Sequence, residues 1–199
     1  NAFDEKVHRP IPLSAEEKER FGGAVGFVGA WEKDRADSVR FLGRSGVHVT
    51  IWGKKWEEKM SGEPNVTIKG DGVYGEDYAR AICAFDIALA FLRKLNRDKQ
   101  TQRSVEIPAC GTFMLAERTD EHLALFQEGT EAEFFDTDEE MKEKVQYYLK
   151  HPAERERIAQ AGRARCLRDS YGNRQRMEWM LSQCHQEYAR DLAAFEFKN

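Results

Sequence analysis

The chain has 199 residues, of which 41% are hydrophobic and 33% are charged, and its formal net charge is −4. This length and hydrophobic fraction suit one folded domain with a sizeable core, and they exclude a disordered polar chain. The negative balance argues against a nucleic-acid partner, which usually requires a basic surface. Charged residues interrupt every apolar run well short of the roughly 20 residues of a membrane-spanning helix. We therefore expect no membrane span.

The first 23 residues are expected to form an interdomain segment. Pro10 and Pro12 favour extended backbone, and Ser14 followed by Glu17 has the spacing of a capping box at the start of a short helix. The chain begins without an initiator Met and without the apolar core of a signal peptide. We expect it to be a piece of a longer protein and to be inactive alone.

From residue 24 onward, short apolar runs alternate with segments of helical periodicity. Apolar and β-branched runs predict strands at 24–29, 47–52, 66–68, 86–91, 112–116 and 132–135. Apolar spacing and end signals predict helices at 34–43, 76–83, 102–110, 138–150, 153–168 and 172–195. Gly46 is expected to end the first of these helices in a left-handed conformation.

This alternation predicts an α/β fold, a Rossmann-like doubly wound parallel sheet of about six strands with helices on both faces. We assign the nucleotide-sugar-binding domain to residues 24–170. The last helix, within 171–199, is expected to pack toward a domain that precedes this chain.

Four cysteines lie at wide, irregular spacings within predicted helices: Cys83, Cys110, Cys166 and Cys184. Their spacing forms no C-x-x-C pair, and no His is placed to complete a zinc site, so we expect no metal. Thiols in helices usually behave as small buried hydrophobes. This usage favours a reducing, cytoplasmic location.

A doubly wound sheet binds ligands beyond the carboxyl ends of its strands. The segment after the first predicted strand offers Gly29, Trp31, Lys33 and Arg35, with Trp31 as well placed for the cleft as for the core. No G-x-G-x-x-G follows this strand and no G-x-x-x-x-G-K-[ST] occurs anywhere, which argues against dehydrogenases and P-loop enzymes.

A second set of polar residues surrounds the predicted helix at 102–110. Thr101 is expected to cap this helix, whose N-terminal N–H groups attract phosphate, with Lys99 and Arg103 nearby and Gly111 at its end. Glu106 lies one turn after Arg103 and could bind ribose hydroxyls, as acidic residues do in Rossmann folds. A simple surface ion pair between Arg103 and Glu106 explains the spacing equally well.

The stretch Arg103-Ser-Val-Glu-Ile-Pro-Ala-Cys-Gly-Thr-Phe-Met-Leu-Ala-Glu-Arg-Thr-Asp resembles CgeB-type (spore-maturation protein) glycosyltransferases, relatives of the retaining GT-B enzymes. Further stretches agree in order: 3–10, Val25-Gly-Phe-Val-Gly, and in the C-terminal part 126–136, 147–155 and 158–162. The resemblance covers nearly the whole chain.

The resemblance implies a GT-B fold, in which this chain binds the nucleoside-diphosphate sugar and a preceding domain binds an unknown acceptor. The wider group uses a Glu-x7-Glu pair on the donor, and the sequence here reads Asp98-x7-Glu106. The resemblance therefore implies donor contacts for Asp98, Arg103 and Glu106, a UDP-sugar by default, and hexosyl transfer that is retaining and metal-independent.

Two other functions remain open from the sequence. A sugar-nucleotide epimerase of the same architecture would use the same nucleotide site but would change the sugar without an acceptor. A non-catalytic nucleotide-binding or interaction module would explain why Asp98 stands where the group has Glu.

Overall fold

A computed structural model describes the backbone of residues 1–196 and the side chains of residues 1–188. Its centre is a six-stranded, fully parallel sheet in the order β3-β2-β1-β4-β5-β6. The strands are β1 (Gly23–Val28), β2 (Val49–Trp52), β3 (Val66–Gly70), β4 (Phe85–Ala90), β5 (Phe113–Glu117) and β6 (Glu133–Phe135). This order is that of a doubly wound Rossmann domain, which confirms the predicted fold class.

Helices connect the strands on both faces of the sheet. They are α1 (Ala15–Phe21), α2 (Lys33–Arg44), α3 (Trp56–Met60), α4 (Gly75–Cys83), α5 (Arg103–Ala109), α6 (Asp120–Leu125), α7 (Asp138–Lys150), α8 (Pro152–Arg168) and α9 (Asn173–Glu196), with a 3₁₀ turn at Lys94–Asn96. Sequence analysis did not predict α3 and α6, because helices of five and six residues are too short to show periodicity.

Local signals located several helix ends correctly. Ser14 and Glu17 form both bonds of the predicted capping box before α1, and Gly46 has a φ of +84° behind α2. Thr101 does not cap α5 as predicted, because the helix begins two residues later at Arg103. The backbone N–H of Thr101 instead donates to Ser104 Oγ at 2.9 Å.

The two faces of the sheet carry side chains of different size. Along β4, Ile87 and Leu89 point to one face, where α2 and α7 cover them, while Ala88 and Ala90 point to the other. The small alanines let α4 and α5 approach the sheet closely, because no long side chain separates them from it. Close approach brings the beginnings of α4 and α5 to the carboxyl edge of the strands.

The segment before β1, which the sequence predicts to be an interdomain segment, packs against the domain. Phe3 is buried, its N–H donates to the Tyr171 carbonyl at 3.1 Å, and its carbonyl accepts from Asn173 N–H at 2.8 Å. Phe21, at the end of α1, is also buried and lies against the ring of Trp52. Residues 1–22 are therefore part of the folded unit.

The described part of α9 projects large apolar side chains into solvent: Met177, Trp179, Met180, Leu181 and Tyr188. Cys184 is also exposed on this helix, so the expectation that all four cysteines are buried is wrong for it. The contact of α9 with a preceding domain stays a prediction, and its last residues lie outside the described side chains. Among the described residues no helix is long and apolar enough to cross a bilayer.

Candidate functional site

The topological switch point of the sheet lies between β1 and β4. Strands β2 and β3 follow on one side of it, and strands β5 and β6 follow on the other. Doubly wound domains bind their ligands beside this point, at the carboxyl ends of the strands. A cavity of about 440 Å³ opens there. Its walls come from the segments after β1, β2 and β3, the first turns of α4 and α5, and one residue of the N-terminal segment: Gly29, Ala30, Trp52, Gly53, Lys54, residues 71–75, Tyr78, Gln102, Arg103, Glu106 and His8.

Glycines allow the backbone to form the floor of this cavity. A Cβ on Gly53 would collide with the carbonyl oxygen of Gly29, which also accepts a 2.7 Å hydrogen bond from Trp56 Nε1. In the turn after β3, Gly72 and Gly75 have φ values of +138° and +56°, which side chains disfavour. A ligand can therefore approach main-chain atoms closely along this floor.

Glu106 supplies a carboxylate to the cavity, as Asp71 does in the turn after β3. Tyr78 Oη donates a 2.8 Å hydrogen bond to Glu106 Oε2, and His8 Nε2 lies 3.7 Å from Glu106 Oε1. Tyr78 is half-buried, and burial together with the neighbouring Glu106 charge raises its pKa well above the ordinary value. The phenol therefore stays protonated and donates to Glu106 at every physiological pH.

Arg103 supplies a cation to the cavity, which Lys54 also lines. Arg103 lies one turn before Glu106 on α5, but Glu106 is held by Tyr78 and does not pair with it. The guanidinium instead stacks 5.7 Å above the ring of Phe27, and its Nε is buried without a hydrogen-bond partner among the described residues. A buried donor without a partner is costly, and an anionic ligand would satisfy it.

A hydrogen-bonded chain fixes the start of α5. The N–H of Thr101 donates to Ser104 Oγ, which lies 2.7 Å from His122 Nε2, and His122 Nδ1 lies 2.6 Å from the Glu117 carbonyl. Since a carbonyl only accepts, Nδ1 carries the proton and Nε2 accepts from Ser104. Burial lowers the pKa of His122, so the ring stays neutral. These hydrogen bonds hold the start of α5, the helix that carries Arg103 and Glu106, against the segment after β5.

The structure brings together only some of the site residues proposed from sequence. Gly29, Arg103 and Glu106 line the cavity. Lys33 and Lys99 point elsewhere and form exposed ion pairs with Asp37 at 2.6 Å and with Asp120 at 2.8 Å.

Arg35 and Trp31 also lie outside the cavity. Arg35 is buried and donates to the Ala30 and Leu92 carbonyls, which braces the ends of β1 and β4. Trp31 packs against the core, with Lys59 Nζ 6.0 Å from its ring centroid. Both residues therefore support the loop after β1 rather than face the cavity.

Three further candidates lie away from the cavity. Asp98 sits in the loop after the 3₁₀ turn, where its N–H donates to the Arg93 carbonyl at 3.3 Å. Thr101 lies two residues before α5, and its Oγ1 is buried without a partner among the described residues. Gly111 precedes β5 and therefore lies at the amino end of the sheet, opposite the cavity. The placement of Gly111 at the ligand edge was wrong because a residue that leads directly into a parallel strand lies at the amino end of that strand.

Sequence reasoning missed His8, Tyr78 and the turn after β3. Tyr78 lies on α4 and Trp52 ends β2, and no sequence motif marks either residue. The glycine-rich run Gly70-Asp-Gly-Val-Tyr-Gly was the available signal for the turn, because such runs favour backbone contact with ligands.

The sequence was compared with protein-family models and known proteins. A model described as glycosyl transferase-like matches residues 33–182, three quarters of the chain. The chain belongs to the glycosyl transferase-like family. No curated protein sequence matches it significantly.

Solved structures of glycosyltransferases share this fold. The C-terminal domain of the glycosyl transferase group 1 family protein LpcC from Francisella tularensis superposes with a TM-score of 0.65 at 11% identity, covering 86% of this chain and 99% of that one. Anabaena HepE in complex with UDP-glucose superposes with a TM-score of 0.65 at 13% identity, covering 98% of this chain and 56% of the HepE chain. Sucrose-phosphate synthase from Thermosynechococcus elongatus superposes with a TM-score of 0.67 at 16% identity, covering 97% of this chain and 52% of the synthase chain.

These matches locate the chain within the larger fold. It matches the C-terminal domain of LpcC over nearly the whole of that domain, and it spans about half the length of HepE and of sucrose-phosphate synthase. At these identities the likeness concerns the fold, and the site rests on the residues described above.

Proposed function

We propose that this chain is the donor-binding domain of a glycosyltransferase that takes a sugar from a nucleoside-diphosphate sugar, with a UDP-sugar as the first candidate. The observation that carries the proposal is that one turn of α5 presents both a carboxylate bonded to Tyr78 and a guanidinium whose Nε has no hydrogen-bond partner among the described residues. The two groups face one cavity at the switch point of the sheet.

The two groups suit two different parts of a nucleotide. Ribose hydroxyls donate hydrogen bonds, and the Glu106 carboxylate accepts them, with Oε1 the oxygen that Tyr78 leaves available. The diphosphate carries negative charge and matches the planar donors of Arg103. Glu106 is hydrogen-bonded to Tyr78 rather than paired with Arg103, so the carboxylate and the guanidinium face the cavity as separate groups.

Similar structures support the same ligand class. HepE was crystallised with UDP-glucose, with UDP and glucose, and with UDP, and this chain spans 55–56% of the HepE chain in each case. We propose by analogy that the present cavity binds the nucleotide part of a UDP-sugar.

The chemistry we propose is transfer with retention, without a metal. Negative charge grows on the nucleoside diphosphate as it leaves, and a guanidinium fixed beside it lowers the barrier most when that charge is largest. Arg103 would have this role. We further propose that a preceding domain binds the acceptor, that the enzyme is of the CgeB type, and that it acts in the cytoplasm.

Isothermal titration calorimetry with UDP, GDP, ADP and UDP-glucose tests the proposal. We expect one diphosphate to bind selectively and Glu106→Gln to weaken its binding about tenfold, because the neutral amide accepts more weakly than a carboxylate. Glu139→Gln is the matched control, since Glu139 is exposed at the start of α7. Asp98→Asn should leave UDP binding unchanged, because Asp98 does not line the cavity.

The outcomes separate the functions that the sequence left open. Selective binding that survives Glu106→Gln would contradict the assigned role of Glu106. Absence of binding by this chain and by the full-length protein would favour a non-catalytic module. Conversion of the bound donor into a sugar epimer without an acceptor would replace the transferase with an epimerase.

A further inference from the structure

His8 reaches the cavity from outside the Rossmann sheet. It belongs to the segment before α1, its side chain is only 12% exposed, and its ring meets that of Tyr78 edge-on at 5.6 Å between centroids. The same segment is anchored by Phe3, which bonds to Tyr171 and Asn173 at the start of α9. The contacts between this N-terminal segment and the start of α9 therefore set the position of His8.

The hydrogen bonds of His8 define its neutral form. The backbone N–H of Asp4 donates to Nδ1 at 3.0 Å, so Nδ1 has no proton and the proton of the neutral ring lies on Nε2. The charged and titratable groups that face the ring are Glu106 from α5, the Tyr78 phenol from α4 and Asp4 from its own segment. Burial lowers the pKa of His8, and the charges of Glu106 and Asp4 oppose this effect without reversing it.

The two oxygens of Glu106 have different surroundings. Oε2 accepts the Tyr78 hydrogen bond at 2.8 Å, whereas Oε1 lies 3.7 Å from His8 Nε2, beyond hydrogen-bond distance. While His8 is neutral, Oε1 can accept a hydroxyl from a ligand. A charged imidazolium would attract the same oxygen and compete with that hydroxyl.

We propose that His8 is a positioning residue that makes nucleotide binding depend on pH: neutral His8 leaves Glu106 Oε1 available to the ribose, and protonated His8 binds Oε1 and excludes it. This inference rests on the proposed function of the cavity. Protonation acts in a second way, because a protonated Nδ1 can no longer accept from Asp4 N–H and the turn at residues 4–8 loses one of its hydrogen bonds.

The affinity for UDP-glucose between pH 5 and pH 8 tests this proposal. UDP-glucose is the suitable probe because its diphosphate is doubly esterified and keeps the same charge over this range, unlike that of UDP. We expect wild-type affinity to fall about fivefold as pH drops below 6.5, the equivalent of one net hydrogen bond. His8→Phe keeps the ring against Tyr78, and His8→Asn keeps an acceptor for Asp4 N–H. Neither can be protonated, so both should bind independently of pH across this range.

Two results would overturn the proposal. Equal pH dependence in the wild type and both variants would assign the effect to another group. Tighter wild-type binding at low pH would mean that the imidazolium contacts the diphosphate instead of Glu106. Circular dichroism at each pH verifies that the variants remain folded.

A measurement without ligand separates this inference from the function of the cavity. Two-dimensional NMR of the imidazole groups should show neutral His8 as the Nε2–H tautomer, with a pKa below the ordinary value of 6.5. In Glu106→Gln the pKa of His8 should be lower still, because the carboxylate charge that opposes the effect of burial is removed. An unchanged titration in Glu106→Gln would overturn the coupling. If UDP-glucose fails to bind at every pH while this coupling is present, the proposed function fails and the His8–Glu106 relationship stands.

Discussion

Tyr78 Oη donates a 2.8 Å hydrogen bond to Oε2 of Glu106, although the two residues lie 28 positions apart on different helices. The bond joins α4 to α5 at the carboxyl edge of the sheet. It orients the carboxylate, and Glu106 forms no ion pair with Arg103 one turn earlier.

Tyr78→Phe should weaken UDP-sugar binding about fivefold with little change in fold. The variant keeps the half-buried ring and removes only the hydroxyl, so Glu106 becomes able to rotate toward Arg103 and pair with it. Calorimetry with the bound diphosphate measures the change. Unaltered affinity would show that the orientation of Glu106 does not depend on Tyr78.

Arg103→Met should reduce affinity for nucleoside diphosphates tenfold or more, on the order of one charge-assisted hydrogen bond. The loss of affinity should be much smaller for the unphosphorylated nucleoside. Arg103→Lys should retain only part of the diphosphate affinity, because lysine lacks the planar set of guanidinium donors. Lys33→Met is the control, since Lys33 pairs with Asp37 outside the cavity. A larger effect of Lys33→Met than of Arg103→Met would place the diphosphate elsewhere.

The stability of the fold should decrease with acidification below pH 6.5 through His122. Burial lowers the pKa of His122, so on acidification the unfolded state binds a proton before the folded state does. The stability that neutral His122 contributes is therefore complete above pH 6.5 and is lost as the pH falls toward the pKa of the folded state. The slope from one such group is at most about 1.4 kcal/mol per pH unit. His8 has a lowered pKa and contributes in the same direction.

Urea unfolding at pH 7.5 and pH 5.5 measures this effect. His122→Phe should be less stable at pH 7.5, because Ser104 Oγ loses its partner, and should lose less stability on acidification than the wild type. His48→Gln is the control because His48 is exposed. A pH dependence shared equally by all three proteins would contradict the assignment.

Arg118 should be a major electrostatic contributor to stability. It pairs with Glu128 and Glu140 at 2.6 Å and with Asp136, tying β5 to α7. Arg118→Met should lower the free energy of unfolding by about 2 kcal/mol, because Asp136 would lose its cation and Glu128 and Glu140 would keep only Lys144.

The effect of Arg118→Met should depend on pH in a defined direction. Arg118 lowers the pKa of Glu140 to about 2, so the stabilisation from this group is complete above 4.5 and is lost as pH falls toward 2. The difference between variant and wild type in urea should therefore shrink below pH 4. A difference that stays constant from pH 7 to pH 3 would assign the stabilisation to packing of the arginine stem.

The sequence by itself determined the elements whose signals are local. The capping box at Ser14 and the 3.6-residue periodicity of α7 depend on neighbours within one or two turns, and α7 has the bounds predicted for it. The alternation of strands and helices then determined the doubly wound sheet, because crossover handedness leaves few topologies. Glu106 and Arg103 were identified because the resemblance and their spacing place them on one helix.

Only the tertiary structure decided what surrounds that pair. His8 and Tyr78 come from segments far from α5 in sequence, and neither carries a local pattern that marks it as a site residue. Gly111 is adjacent to the helix in sequence yet lies at the opposite edge of the sheet, while Lys33 and Lys99 are neutralised by partners that charge alone does not reveal. The physical reason is that a ligand cavity forms where several chain segments converge, so its walls depend on long-range packing.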